Sequence, residues 1–172
     1  GREAERRGAE RILGIDKAEK LVEKNALLRE ITGSRMTYEE KTVYDLDPIS
    51  DGKFDLVIFL SVFQHLDYPF RALDVIADVT STTAIMEIPI AVANNNDDAF
   101  QMEPYAISRR SAKGRRIFLP NEALLLEMLL DAGFTATDFI TRHRARDVPG
   151  YDARFRQERL ILHAHRSTSA RL

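Results

Sequence analysis

The sequence predicts an α/β fold: a doubly wound, mostly parallel sheet that ends in a C-terminal antiparallel hairpin. Three observations predict it. The stretch Phe54 to Leu73, FDLVIFLSVFQHLDYPFRAL, runs from a short apolar segment through a polar loop into a helix opened by Pro69, the order of half a β-α-β unit. Strand-like and helix-like segments alternate on either side of it. The last two apolar segments, Phe134 to Ile140 and Glu158 to His165, have no strong helical pattern between them, so they pair most simply as antiparallel strands at a sheet edge.

Composition narrows the function classes. The 172 residues suit one domain with a real core, 44% are hydrophobic and 30% charged, and the formal net charge of -2 gives no global pull toward nucleic acid. Cysteine is absent, which removes disulfides, thiolate metal sites and a cysteine nucleophile. No apolar run reaches the roughly 18 to 20 residues that span a membrane, and the charged opening GREAERR is no signal peptide. The expected location is cytoplasmic.

Taken in order, residues 1 to 9 read as the end of a helix stopped at Gly8. Arg11 to Ile15 is a short strand ending at Asp16, and Lys17 to Thr32 a helix with Ala18, Leu21, Leu28 and Ile31 turned inward and Gly33 as its stop. Met36 to Tyr44 is a strand whose end meets Asp45, Leu46, Asp47 and Pro48. Phe54 to Leu60 reads as a central strand buried on both faces, followed by a helix with Phe70, Leu73, Ile76 and Ala77 on one stripe. Thr82 to Ile88 is a strand broken by Pro89. From Ala93 to Arg116 the chain is polar and turn-rich, and an inserted loop or lid at 93–116 is expected. Pro120 opens a helix with Leu125, Met128, Leu129 and Ala132 on one face and Gly133 as its stop. The total is six strands, with one domain expected over 1–172.

The residues Phe54, Asp55, Val57, Val62, His65, Leu66, Pro69, Ala72 and Leu73 fit the pattern FDxVxxxxVLxHLxxPxxAL. In this the chain resembles the class I S-adenosylmethionine-dependent methyltransferases, of Rossmann-like fold. AERRGAERILGID resembles the family's first helix and second strand, and IFLPNEALLLEMLLDAGF its helix before the sixth strand. Within the family the chain looks most similar to the group of the tRNA wobble-uridine carboxymethyl enzyme. The family's first strand and its DxGxGxG loop are not found, so the resemblance implies an N-terminally truncated domain whose central first strand is missing. A parallel sheet with that gap leaves backbone groups unpaired, at a cost of ~1 to 3 kcal/mol for each buried group.

The resemblance implies that Asp16 accepts hydrogen bonds from the cofactor ribose, that Asp45 with Leu46 meets the adenine, and that Ser61 and Val62 make backbone contacts beneath the cofactor. Structural roles compete with each. Asp16 suits an N-cap, Asp45 a turn in which Asp47 is a rival candidate, and Ser61 and Val62 simple packing. An unperturbed imidazole titrates in the range useful to a base, which makes His65 a candidate catalytic residue, against a structural hydrogen bond. Tyr105 and Arg109 are candidate acceptor contacts, the latter in the run RRSAKGRR, whose charges equally serve as a solvated loop. The four histidines, His65, His143, His163 and His165, are scattered, and no metal is expected.

Taken together these features predict methyl transfer from S-adenosylmethionine to an oxygen or nitrogen of a small-molecule or sugar acceptor, with RNA as a further acceptor class. A non-catalytic methyltransferase-like binding or assembly module is the alternative. A NAD-dependent oxidoreductase shares the acidic strand ends but not the HLDYP loop. An open central slot would favour a homodimer by exchange of elements.

Overall fold

The computed structural model describes residues 1–93, 103–104, 106–110, 116–144 and 155–167. The chain divides into two compact units, Gly1–Leu46 and Asp47–Leu172.

In the first unit, helix α1 (Arg2–Arg6) ends at Arg7, and Gly8 takes the left-handed φ of 93° that lets the chain leave it. Strand β1 (Leu13–Asp16) lies parallel to β2 (Thr37–Glu40), in a register running from Leu13 opposite Thr37 to Asp16 opposite Glu40. Helix α2 (Glu19–Thr32) is the crossover that a parallel pair requires. Gly33, at φ 65°, closes it by donating its N–H to the Arg29 carbonyl. The Glu5 carboxylate then takes the Ser34 hydroxyl and the Arg35 N–H, each at 2.6 Å, and so ties α1 to the segment after α2. Two expectations are corrected here. Leu21, Leu28 and Ile31 are exposed, and no residue of α2 is buried, because a two-stranded sheet is too narrow to cover the stripe. The strand expected to reach Tyr44 stops at Glu40 and gives way to a 3-10 turn, Val43–Asp45.

The second unit holds the main core. Strand β3 (Phe54–Leu60) runs parallel to β4 (Thr80–Ala93), with helix α3 (Pro69–Val79) between them and Pro69 in its first turn. Strands β5 (Ala106–Arg110) and β6 (Arg116–Pro120) form an antiparallel pair. Helix α4 (Glu122–Asp131) follows, then β7 (Ala136–Arg144) and β8 (Phe155–His165). The sheet order is β3-β4-β8-β7, with β8 antiparallel to both neighbours. The sheet is therefore mixed, and β8 is internal while β7 is its edge. Ala84, Met86, Ile88, Leu160, Leu162 and Ala164 share one buried face, and Leu73, Ile76 and Ala77 of α3 are buried as well. Ala72 replaces the exposed Phe70 on that helix's inner stripe.

Four further expectations change. Strand β3 has a single neighbour among the described residues, and Leu56, Ile58 and Leu60 keep 45%, 53% and 45% of their surface exposed. It is an end strand, not one buried on both faces. Pro89 does not break β4, which continues to Ala93. Pairing with β3 ends at Leu60 opposite Glu87, so Pro89 sits where β4 has lost one neighbour and a missing N–H is tolerated. Pro120 ends β6 and does not open α4; Asn121 caps that helix, its Oδ1 taking the Leu124 N–H at 2.9 Å. Of the segment expected as a loop or lid, residues 106–110 and 116 are strand.

Asn121 is buried, and its amide also donates to the Glu103 carbonyl at 2.8 Å. Replacing it with alanine removes a cap and strands that carbonyl, so Asn121→Ala should destabilise the second unit by about 1 to 2 kcal/mol. A denaturant midpoint unchanged from that of the parent chain would refute this account. No described helix is long and apolar enough to cross a membrane.

Candidate functional site

In open α/β sheets ligands gather at the carboxyl ends of the parallel strands, and each unit presents such an end. In the first unit, Asp16 and Glu40 close β1 and β2 side by side. The Lys41 N–H donates to the Asp16 carbonyl at 3.1 Å, while the half-buried Asp16 carboxylate takes the Ala18 N–H on Oδ1 at 2.8 Å. The N-cap of α2 is Ala18, without a side-chain cap bond. Asp16 therefore shapes the turn into the helix and is not its cap.

Asp45 ends the 3-10 turn. Its Oδ2 accepts the Thr42 N–H at 2.8 Å and the Thr42 hydroxyl at 2.7 Å, a capping box. The Thr42 hydroxyl, with help from its N–H and the charge of Lys41, holds the Asp45 carboxyl below its usual range. Leu46 follows, half-buried. In the second unit, the rival Asp47 takes the Ile49 N–H on Oδ1 at 2.7 Å and gives its own N–H to Asp51. Both acids serve turns locally.

Ser61 is the first residue beyond β3 and the one non-glycine residue with positive φ among those described, at 58°. Its hydroxyl donates to Glu87 Oε2 at 2.5 Å, and Arg159 Nη1 donates to Glu87 Oε1 at 2.5 Å and reaches the Ser61 hydroxyl at 3.4 Å. Gln64 is buried, and its amide donates to the Ser61 carbonyl at 3.2 Å while its Oε1 is buried without a hydrogen-bond partner. The turn Phe63–His65 is anchored by Phe63, fully buried and edge-on to Phe118 with ring centres 6.0 Å apart. Val62 and His65 are exposed on that turn, where the His65 N–H meets the Val62 carbonyl at 2.9 Å.

The structure thus gathers Ser61, Val62 and His65 at the end of β3, and Asp16 with Glu40 at the ends of β1 and β2. Tyr105 lies outside the described residues, and Arg109 is placed only as a backbone position in β5 opposite Ile117. Among the described residues no group of three or more His, Asp or Glu side chains could hold a metal ion. His165 is tied to Asp138 and Thr83, each at 3.0 Å. Glu87 and Arg159 were not singled out in the sequence. The available signal was Glu87 itself, the one charge in the apolar run TTAIMEIPI.

Glu87 sits below the usual carboxylate range, chiefly through the Ser61 hydroxyl and then through Arg159, with His143 adding positive charge. A lowered folded-state value means that Glu87 stabilises the fold above the ordinary carboxyl range near 4.5 and stops doing so as pH falls through the lowered value. Glu87→Gln should therefore flatten the acid limb of the stability–pH curve. An acid limb identical to that of the unsubstituted chain would count against it.

Residues 2–86 match a family described as a methyltransferase domain. No curated protein matches the chain in sequence. Among solved structures, the N-terminal domain of EvdMO1 with SAH bound is similar over 94% of this chain and 67% of its own, at a TM-score of 0.71 and 17% identity. Magnesium protoporphyrin IX methyltransferase (ChlM) from Synechocystis PCC 6803, with bound SAM, is similar over 94% of this chain and 62% of its own, at 0.57 and 17%. The [4+2]-cyclase SpnF is similar over 97% of this chain and 70% of its own, at 0.63 and 18%. In a second structure, that of EvdMO1, the similarity covers 90% of this chain and 31% of that one.

Proposed function

From a chain that carries the class I S-adenosylmethionine-dependent methyltransferase fold, we propose methyl transfer from S-adenosylmethionine to an oxygen or nitrogen of a small-molecule acceptor. The observation that carries this reading is the methyltransferase-domain match over residues 2–86, which includes both β1 with Asp16 and β3 with the Ser61 turn. S-adenosylmethionine supplies a methyl group already activated on a sulfonium, so alignment dominates the displacement.

The residues present suit such a ligand. Asp16 offers a carboxylate to vicinal hydroxyl donors at a strand's carboxyl end. Asp45, charged at neutral pH, is the partner for an exocyclic amine, with the Leu46 N–H beside it. Ser61 and Val62 offer the backbone of a turn that the left-handed Ser61 brings sharply out of β3. The buried, unpaired Oε1 of Gln64 is a further acceptor in that turn. His65, exposed on the same turn, is the group to take a proton from an acceptor hydroxyl or amine. Tyr105 and Arg109 are proposed to meet the acceptor.

A second reading has a specific observation in its favour. SpnF is a [4+2]-cyclase on a similar fold, so this architecture also serves chemistry other than methyl transfer. Calorimetric titration of S-adenosylmethionine and its demethylated product, followed by an acceptor screen led by sugars and nitrogen heterocycles with tRNA as the second class, tests both. Binding with turnover is the expected result. Binding without any methylated product favours the second reading, and no binding by the folded chain overturns the cofactor role.

A further inference from the structure

The residue that opens the ligand-facing turn sits in a backbone conformation its side chain does not favour. An L-residue other than glycine pays roughly 1 to 2 kcal/mol in the left-handed region, and such conformations persist where the surroundings over-determine them. At Ser61 the surroundings do so at two groups, one of them backed by a further bond. Its hydroxyl is held by Glu87 of β4, that carboxylate is held in turn by Arg159 of β8, and its carbonyl is held by the Gln64 amide. Glu87 lies opposite Leu60, the last residue of β3, and Arg159 opposite Pro89. Two strands distant in sequence thus converge on one residue where β3 ends.

We propose that Glu87 and Arg159 are positioning residues, which hold Ser61 in its left-handed conformation and thereby set the shape of the Ser61–Gln64 turn for its ligand. The identity of that ligand rests on the cofactor reading above. The lock itself does not. Both oxygens of Glu87 are used, one on Ser61 and one on Arg159, so the pair does more than neutralise charge on the sheet face. At neutral pH the carboxylate is ionised and the lock is closed.

Glycine adopts φ near 60° without help but also lacks the hydroxyl. Ser61→Ala, which lacks the hydroxyl and keeps the cost of positive φ, is therefore the companion that separates conformation from the bond: it should weaken binding as Glu87→Gln does, and Ser61→Gly should not. If Glu87 acts through the conformation of Ser61, then Glu87→Gln should matter in the parent chain and not in a Ser61→Gly background. The four chains, parent, Glu87→Gln, Ser61→Gly and the double variant, are compared by denaturant midpoint and by calorimetric titration of S-adenosylmethionine. The expected result is that Glu87→Gln weakens binding about fivefold or more in the parent, the fold-change that corresponds to losing the hold on a left-handed residue. In the Ser61→Gly background it should change binding by less than about twofold, and the two substitutions should be equally non-additive in the midpoint. Arg159→Ala should follow Glu87→Gln in both backgrounds, and Arg159→Lys should recover part of the loss.

Additive effects in both readouts would overturn the lock, since Glu87 would then act independently of Ser61. Non-additive midpoints with no binding by any chain would support the lock and overturn the cofactor reading. Non-additive midpoints with binding indifferent to Glu87→Gln in the parent would overturn the positioning role.

Discussion

Leu162→Ala is expected to destabilise the second unit by about 2 to 5 kcal/mol, the range for removing a fully buried leucine. Leu162 has no exposed surface and lies in the middle of β8, opposite Met86 of β4 on one side and Phe139 of β7 on the other. Its loss opens a cavity on the buried face where Ala84, Ile88 and Leu160 also lie, and close-packed neighbours relax only partly into such a space. Leu130→Ala, at an exposed position on α4, is the matched control and should stay within about 0.5 kcal/mol. The measurement is the denaturant midpoint at constant slope. Equal midpoints for the two variants would show that the second unit is not held by this sheet face.

Asp16→Ala is expected to weaken S-adenosylmethionine binding about 10- to 100-fold, the equivalent of hydrogen bonds to a charged group worth roughly 1.5 to 3 kcal/mol. The substitution also removes the acceptor for the Ala18 N–H, so Asp16→Asn is needed beside it. Asparagine keeps an oxygen for that N–H and loses the charge. Binding weakened by both variants, with the thermal midpoint of Asp16→Asn unchanged, assigns the effect to the carboxylate and its ligand. Binding weakened by Asp16→Ala alone assigns it to the turn into α2.

Several parts of this architecture were legible as local chemistry. Gly33 and Pro69 marked the end of α2 and the start of α3 correctly because each acts through its own backbone. The apolar run at β3 and the alternation in β8 were readable for the same reason, since side-chain period follows directly from strand geometry. The antiparallel pairing of β7 with β8 followed from the absence of a strong helical pattern in the sequence between them. Asp16 at the end of β1 and Ser61 at the end of β3 were readable once those strands were placed, because a strand's carboxyl end is a sequence position.

What local patterns left open was set by partners far along the chain. Periodicity identifies an apolar face without saying whether anything covers it, which is why Leu21 and Ile31 on α2 and Leu56 and Ile58 on β3 were expected inside and are exposed. Nor does it order strands: β8 enters between β4 and β7 through pairs such as Met86 with Leu162, which are far apart in the sequence. Pro89 looked like a strand end because a proline lacks an N–H, and it is accommodated because β3 stops two residues earlier in register. Glu87 and Arg159 were invisible as a pair for the same reason, and only the tertiary fold sets them against Ser61. Backbone propensity and side-chain period act over a few residues and are written in the order of amino acids, whereas burial, strand order and ion pairing depend on which distant surfaces meet.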